Sequence, residues 1–149
     1  MSIADIQNAI SQSTALRTNP GYHSFMTIVH TSEPLVVAAM ATNTSSVQYG
    51  NIRMAVGVWE QIAQIVGKLS AADRPQVFQC TPVSLMWKLL LPAIEKIRSA
   101  GADPSSPTAS PGYAGNFEKL KDEYNAWTQT PAGKTYSTDA AQAVHAFFG

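Results

Sequence analysis

The sequence predicts an all-α fold, a bundle of five to six helices forming one compact domain over residues 1–149. Three observations predict it. Apolar residues recur at the helical period in segment after segment, helix-entry residues stand in front of those segments, and Pro- or Gly-containing breakers separate them. No internal repeat is present.

The first helix starts at Ser2, where Asp5 completes a capping-box-like pair, and carries Ile3, Ile6 and Ile10 as its apolar stripe. Asn19-Pro20-Gly21 stops it. Tyr22, Phe25, Met26 and Val29 then fall at i, i+3, i+4 and i+7, which favours a second helix, although the β-branched Thr27-Ile28-Val29 is also compatible with extended chain. Ser32-Glu33-Pro34 opens a short apolar helix, Leu35 to Ala41, which fades into Thr42–Ser46. The clearest helix runs from about Tyr49 to Lys68. Ile52, Ala55, Val56, Trp59, Ile62, Ala63 and Val66 form one stripe, and Met54, Val58 and Ile65 a second. Gly57 costs about 1 kcal/mol in a helix interior, and close packing is the expected reason for it.

Ser70–Asp73 repeats the capping pattern before a short turn ended near Pro75. Thr81-Pro82 opens a long helix to about Ala100, with Gly101 as its C-terminal cap. Leu85–Leu91 is apolar on nearly every side except Lys88, which marks this as the central, most buried helix. Pro92 inside it is expected to kink or divide it. Residues 101–115, rich in Ser, Thr, Pro and Gly, read as a mobile surface loop. Asn116 caps a helix bearing Phe117, Leu120, Tyr124 and Trp127, which Thr130–Gly133 breaks. Ser137 or Thr138 caps a last helix of Ala140, Val144, Phe147 and Phe148.

Charge is the unusual feature of the composition. Charged residues make up 13%, where about 25% is usual in soluble domains. Lys and Arg balance Asp and Glu to a net charge of zero, so little self-repulsion keeps copies apart. Residues 1–52 carry −1, residues 53–98 carry +3 and residues 99–149 carry −2; between Arg17 and Arg53 the only formal charge is Glu33. This is not the dense basic stripe of an autonomous nucleic-acid-binding domain. The Met-Ser-Ile-Ala-Asp start has no basic region followed by an apolar one, and the longest apolar run, Leu89–Leu91, is far short of a membrane span. No lipidation motif is evident. The expectation is a soluble, cytoplasmic protein.

No catalytic, cofactor or metal site is expected. Gly133-Lys134-Thr135 ends like a P-loop, but position 128 is Thr where the first Gly belongs, and a helix stands where a strand is required; an exposed turn explains it. His23, His30 and Glu33 could share a helix face, yet they lack further ligands at metal-binding spacing and read as ordinary polar histidines. His145 has no carboxylate placed to orient it, and no Gly-x-Ser-x-Gly elbow occurs. Cys80, the single cysteine, precedes a helix start where a thiolate would be favoured, but a buried structural thiol is the expected role. Trp59, Trp87 and Trp127 stand on three apolar stripes as core anchors rather than as a stacking platform. The charges from Glu118 to Glu123 fit a solvated helix face.

Two stretches carry a resemblance. The first runs from Ser24-Phe25 through Glu33-Pro34-Leu35 to Thr42-Asn43, Gln48-Tyr49 and Arg53. The second is Gly112-Tyr113, Phe117-Glu118 and Trp127-Thr128. In this order they resemble the coat proteins of rod-shaped plant viruses of the tobamovirus kind. The matches cover about a quarter of the chain; about 20 residues precede the first, and the middle is one long helix with a shorter loop than in that family.

The resemblance implies a self-assembling coat-like subunit, an oligomer or filament that packages RNA, with Arg53 carried over as an RNA contact and a virion as its location. Lys88, Lys96 and Arg98, from the segment of charge +3, are the neighbouring candidates for nucleic-acid binding. A polymer can hold RNA with near-neutral subunits, because each copy needs few cations along a shared groove. A helical module binding another protein or a small apolar ligand is the alternative, and an enzyme with scattered catalytic residues is a further rival. The wide apolar arcs of the helices at 49–68 and 82–100 are the surface expected to drive self-association.

Overall fold

The helix around which the others gather is α4 (Val47–Gly67). Against it pack α1 (Ile3–Arg17), α2 (Pro20–His30), α3 (Pro34–Met40), α5 (Arg74–Phe78), α6 (Val83–Arg98) and α7 (Gly115–Thr128). The structure, a computed structural model, describes residues 3–99 and 112–134; a helical turn at 131–134 closes the described chain, and no strand occurs among these residues. The all-α expectation holds. Among the described residues seven helices and the turn at 131–134 stand where five to six helices were expected, partly because Pro75 lies in the first turn of α5 and opens a helix there. Proline is tolerated at that position because its missing N–H has no partner to lose.

The entries follow local chemistry. Asn19 caps α2 by accepting from the Gly21 and Tyr22 amides at 3.0 and 3.3 Å, ahead of Pro20. Ser46 caps α4 by accepting from the Tyr49 amide at 3.1 Å. The start of α7 departs from expectation. Asn116 is not its cap; the Phe117 amide donates instead to Glu60 Oε1 on α4, at 3.2 Å. The residue before α7, Ala114, is buried with φ of 64°, a left-handed conformation uncommon outside Gly, Asn and Asp. Residues 112–115 are therefore built into the fold, whereas 101–111 of the expected mobile loop lie outside the described residues, as do Ala100, Gly101, Ser137, Thr138 and the helix expected after them.

Aromatic packing makes the core. Trp59 is fully buried, donates its indole N–H to the Tyr22 hydroxyl at 2.7 Å and stacks on Phe117, with ring centroids 5.2 Å apart. Trp87 meets Phe117 edge-on at 5.1 Å. Side chains from α2, α4, α6 and α7 are thereby joined in one chain. Trp127 belongs to a second group, with Phe78 and Tyr124, that joins α5 to α7.

As expected, α6 is the most buried helix: Val83, Met86, Trp87, Leu90, Ala93, Ile94 and Ile97 are enclosed, seven of its 16 residues, against six of 21 on α4. The central position falls to α4, which touches every other helix, and Leu85, Leu89 and Leu91 on α6 are only half-buried. Pro92 lies inside α6 without dividing it. The proline ring leaves the Lys88 carbonyl without its usual donor, but Lys88 is on the exposed side, where water can satisfy it. On α1 the buried residues are Ala9 and Ser13, with Ile6 and Ile10 half-buried and Ile3 exposed. Small residues occupy that side because α1 packs against α4, and the isoleucine stripe lies to one side of the contact.

Two glycines behave unlike their expected roles. A Cβ on Gly57 would meet nothing within 4 Å, so close packing does not explain it. Gly133 is buried rather than in an exposed turn, and a Cβ there would run into the Trp127 carbonyl and the Thr128 backbone. We expect Gly57→Ala to raise stability by about 1 kcal/mol and Gly133→Ala to lower it, both read from denaturant midpoints. We also expect Trp59→Ala and Trp87→Ala to cost about 3–5 kcal/mol each. Trp59→Ala is the larger because it also strands the Tyr22 hydroxyl; equal or reversed losses in urea titrations would contradict the central place given to Trp59.

Candidate functional site

The four residues expected to meet nucleic acid separate into two kinds. Arg98 is half-buried and committed to the fold. Its Nε–H donates to the Tyr113 carbonyl at 2.8 Å, its Nη2 pairs with Glu118 at 2.9 Å, and its guanidinium lies over the Trp87 ring at 5.6 Å. Arg53, Lys88 and Lys96 are exposed. The Arg53 guanidinium lies 4.6 Å from the centroid of the Tyr113 ring and 5.9 Å from that of Tyr49. Tyr113 thus brings Arg53 and Arg98 together, one at its ring and one at its carbonyl.

The other arginines explain this division. Arg17 donates to the Cys80 carbonyl at 2.9 Å. Arg74 donates to the Gly67 and Leu69 carbonyls at the end of α4 and pairs with Glu123 on α7 at 2.7 Å. A planar guanidinium can tie several acceptors at once, which suits it to helix ends whose carbonyls lack partners. Arg17, Arg74 and Arg98 all serve backbone carbonyls, so Arg53 is the arginine left facing outward. Among the described charges, Glu118 and Glu123 are likewise partners of the fold and not simply a solvated face.

Tyr113 is the part of this group that the sequence concealed in a presumed loop. Its hydroxyl is buried with no hydrogen-bond partner among the described residues. Burial pushes its pKa up to about 12, and the nearby Arg53 charge opposes that rise. Burial also raises Tyr22 and Tyr124.

A different surface carries the apolar excess. Helix α3 has no polar side chain from Pro34 to Met40, yet only Val37 on it is buried. Leu35 is 83% exposed and Val36 49%, and nearby in the chain Ile28 is 54% and Val47 77% exposed. Between the outward side of α3 and the start of α4 lies an open recess of about 370 Å³, lined by Val36, Ala39, Met40, Asn43, Ser46 and Gln48. The wide arcs of α4 and α6, expected to leave apolar surface over, are instead largely covered. The excess was legible in the all-apolar composition of residues 34–40; the direction it faces was not.

Cys80 is exposed, where a buried thiol was expected. His23 is half-buried and His30 exposed, and no metal-holding group of three or more His, Cys, Asp or Glu residues occurs among the described residues. No described helix is long and apolar enough to cross a membrane. Comparison with protein-family models, curated proteins and solved structures finds no match to the chain.

Arg98→Ala is expected to lower folding stability by about 1–2 kcal/mol, because the pair with Glu118 is partly solvated but the bond to Tyr113 is lost as well. Arg53→Ala should change it by less than about 0.5 kcal/mol, as an exposed substitution usually does. Thermal melts of both variants check the contrast. The tyrosines set an alkaline limit. Tyr113 holds its proton to about pH 12 when folded against 10.0 as the ordinary value, so the unfolded state loses that proton first. Stability is then full below pH 10 and declines between 10 and about 12. Urea midpoints across that range should fall for the native chain and less steeply for Tyr113→Phe.

Proposed function

We propose that the chain is a non-enzymatic structural subunit that assembles with copies of itself into an oligomer or filament, in the manner of a coat protein. The observation that carries this is α3, a helix without one polar side chain that leaves Leu35 and Val36 open to solvent. A helix apolar all round ordinarily belongs in a core. Zero net charge, and a stretch from Arg17 to Arg53 with Glu33 as its only formal charge, remove most of the repulsion that would oppose contact between copies. The resemblance to rod-shaped virus coats adds RNA as a partner. On this reading Arg53, Lys88 and Lys96 face the RNA, while Arg98 acts through the fold.

The open recess beside α3 favours one other reading, a helical module that receives a partner protein or a small apolar ligand there. Light scattering over a wide concentration range separates the two. Self-assembly requires a mass above that of one chain, rising with concentration, and Leu35→Glu should return it to the single-chain mass with the helical circular dichroism signal unchanged. A native chain that stays monomeric throughout overturns the assembly reading. Ultraviolet absorbance of the purified assembly reports nucleic acid. Arg53→Ala and high salt should each reduce what is retained; an assembly free of nucleic acid would remove the coat role and leave assembly standing.

A further inference from the structure

We infer that the cleft between α4 and α7 binds a small organic monocarboxylate, its anion held by Lys119 and Arg74 and its apolar body resting on Ala63, Val66 and Leu120. The site needs no second copy of the chain and is separate from the α3 corner.

Helical spacing builds the walls. Ala63, Val66 and Gly67 fall at i, i+3 and i+4 on α4, and Asn116, Lys119, Leu120 and Glu123 fall at i, i+3, i+4 and i+7 on α7. Each set shares one side of its helix, and between them lies a cleft of about 370 Å³. Small-molecule sites ordinarily span about 300–1,000 Å³. Arg74 ties the two walls together, because it donates to the Gly67 and Leu69 carbonyls and pairs with Glu123. Val66 and Leu120 are buried, so the inner lining is apolar and its shape is held by the core.

Charge decides the ligand. Arg74 and Lys119 against Glu123 leave the lining at +1. Glu123 is already answered by Arg74 at 2.7 Å. Lys119 is exposed and has no hydrogen bond or ion pair among the described residues. Three acceptors engage Arg74, so two of the five N–H donors of its guanidinium remain unused. The cleft therefore holds more cationic N–H donors than acceptors, and a carboxylate supplies acceptors and the missing charge in one group. A cation would meet Arg74 and Lys119 with only a Glu123 that is already paired. A dianion would exceed the +1, and an uncharged ligand would leave Lys119 unanswered. The apolar inner lining in turn favours an organic body over a bare inorganic anion.

Equilibrium dialysis of radiolabelled hexanoate against the full chain tests this, because it reads binding whether the chain is single or assembled. Saturable binding is expected. Hexanamide and inorganic phosphate should each compete at least about tenfold more weakly than unlabelled hexanoate, the first for want of a charge-assisted hydrogen bond and the second for want of apolar contact. Lys119→Met should weaken hexanoate about tenfold, and Lys119→Arg should bring it back to within about twofold of the native chain. Because Lys119 is exposed, neither variant should alter the helical circular dichroism signal. An absence of saturable binding overturns the inference, as does a Lys119→Met chain that binds like the native one. Hexanamide competing as well as hexanoate overturns the anion's part in recognition, and phosphate doing so overturns that of the apolar body; either result defeats the assignment to a monocarboxylate.

Discussion

The fold depends on what Trp59 does at the centre of α4. One face of its indole stacks on Phe117 and its N–H reaches the Tyr22 hydroxyl, so a single side chain fixes α2 and α7 relative to α4. Phe117 then presents the surface that Trp87 meets edge-on, which draws α6 into the same group. Aromatic pairs of this kind add stability beyond the area they bury, and a buried N–H with its acceptor in place avoids a desolvation cost of about 1–3 kcal/mol. The burial that raises the Tyr22 pKa is the same burial that makes its bond to Trp59 strong.

The scarcity of charge shapes everything outside that core. With few ionic groups, the chain uses Arg17, Arg74 and Arg98 to satisfy carbonyls where elements end, and the carboxylate of Glu60 to satisfy an amide where α7 begins. These bonds link segments far apart in sequence, so they stabilise the arrangement of helices more than any helix alone. Arg53 has no such duty and lies over two tyrosine rings, held in place yet still exposed. A cation kept ordered on an aromatic surface can meet an anion without first losing much side-chain freedom.

The outward side of α3 is the counterpart of the filled core. Seven residues make two turns of helix, and packing against α6 and α4 fully covers only Val37. The remaining apolar side has no second layer among the described residues. A short helix of this composition gains little from remaining in water, and burying a side chain the size of Leu35 contributes about 1.5–3 kcal/mol. That free energy is the physical basis on which the assembly reading stands.

Much of this protein was determined by the sequence alone. The helical period of Tyr22, Phe25, Met26 and Val29, the stripe from Ile52 to Val66, and the breakers at Pro20 and Pro34 set the helices almost where they occur, because these are local choices made within a few residues. Tertiary structure decided what depends on neighbours distant in the chain. It made α4 the helix that every other touches although α6 is the more buried, turned Arg98 inward and left Arg53 outside. It supplied Glu60 where Asn116 was the local candidate, and it buried Ala114 and Gly133 in places that read as loop and turn. An all-apolar segment such as 34–40 states that it will be buried somewhere but not by what. The period gives the face of a helix, while only packing settles which face meets the core and which is left for something else.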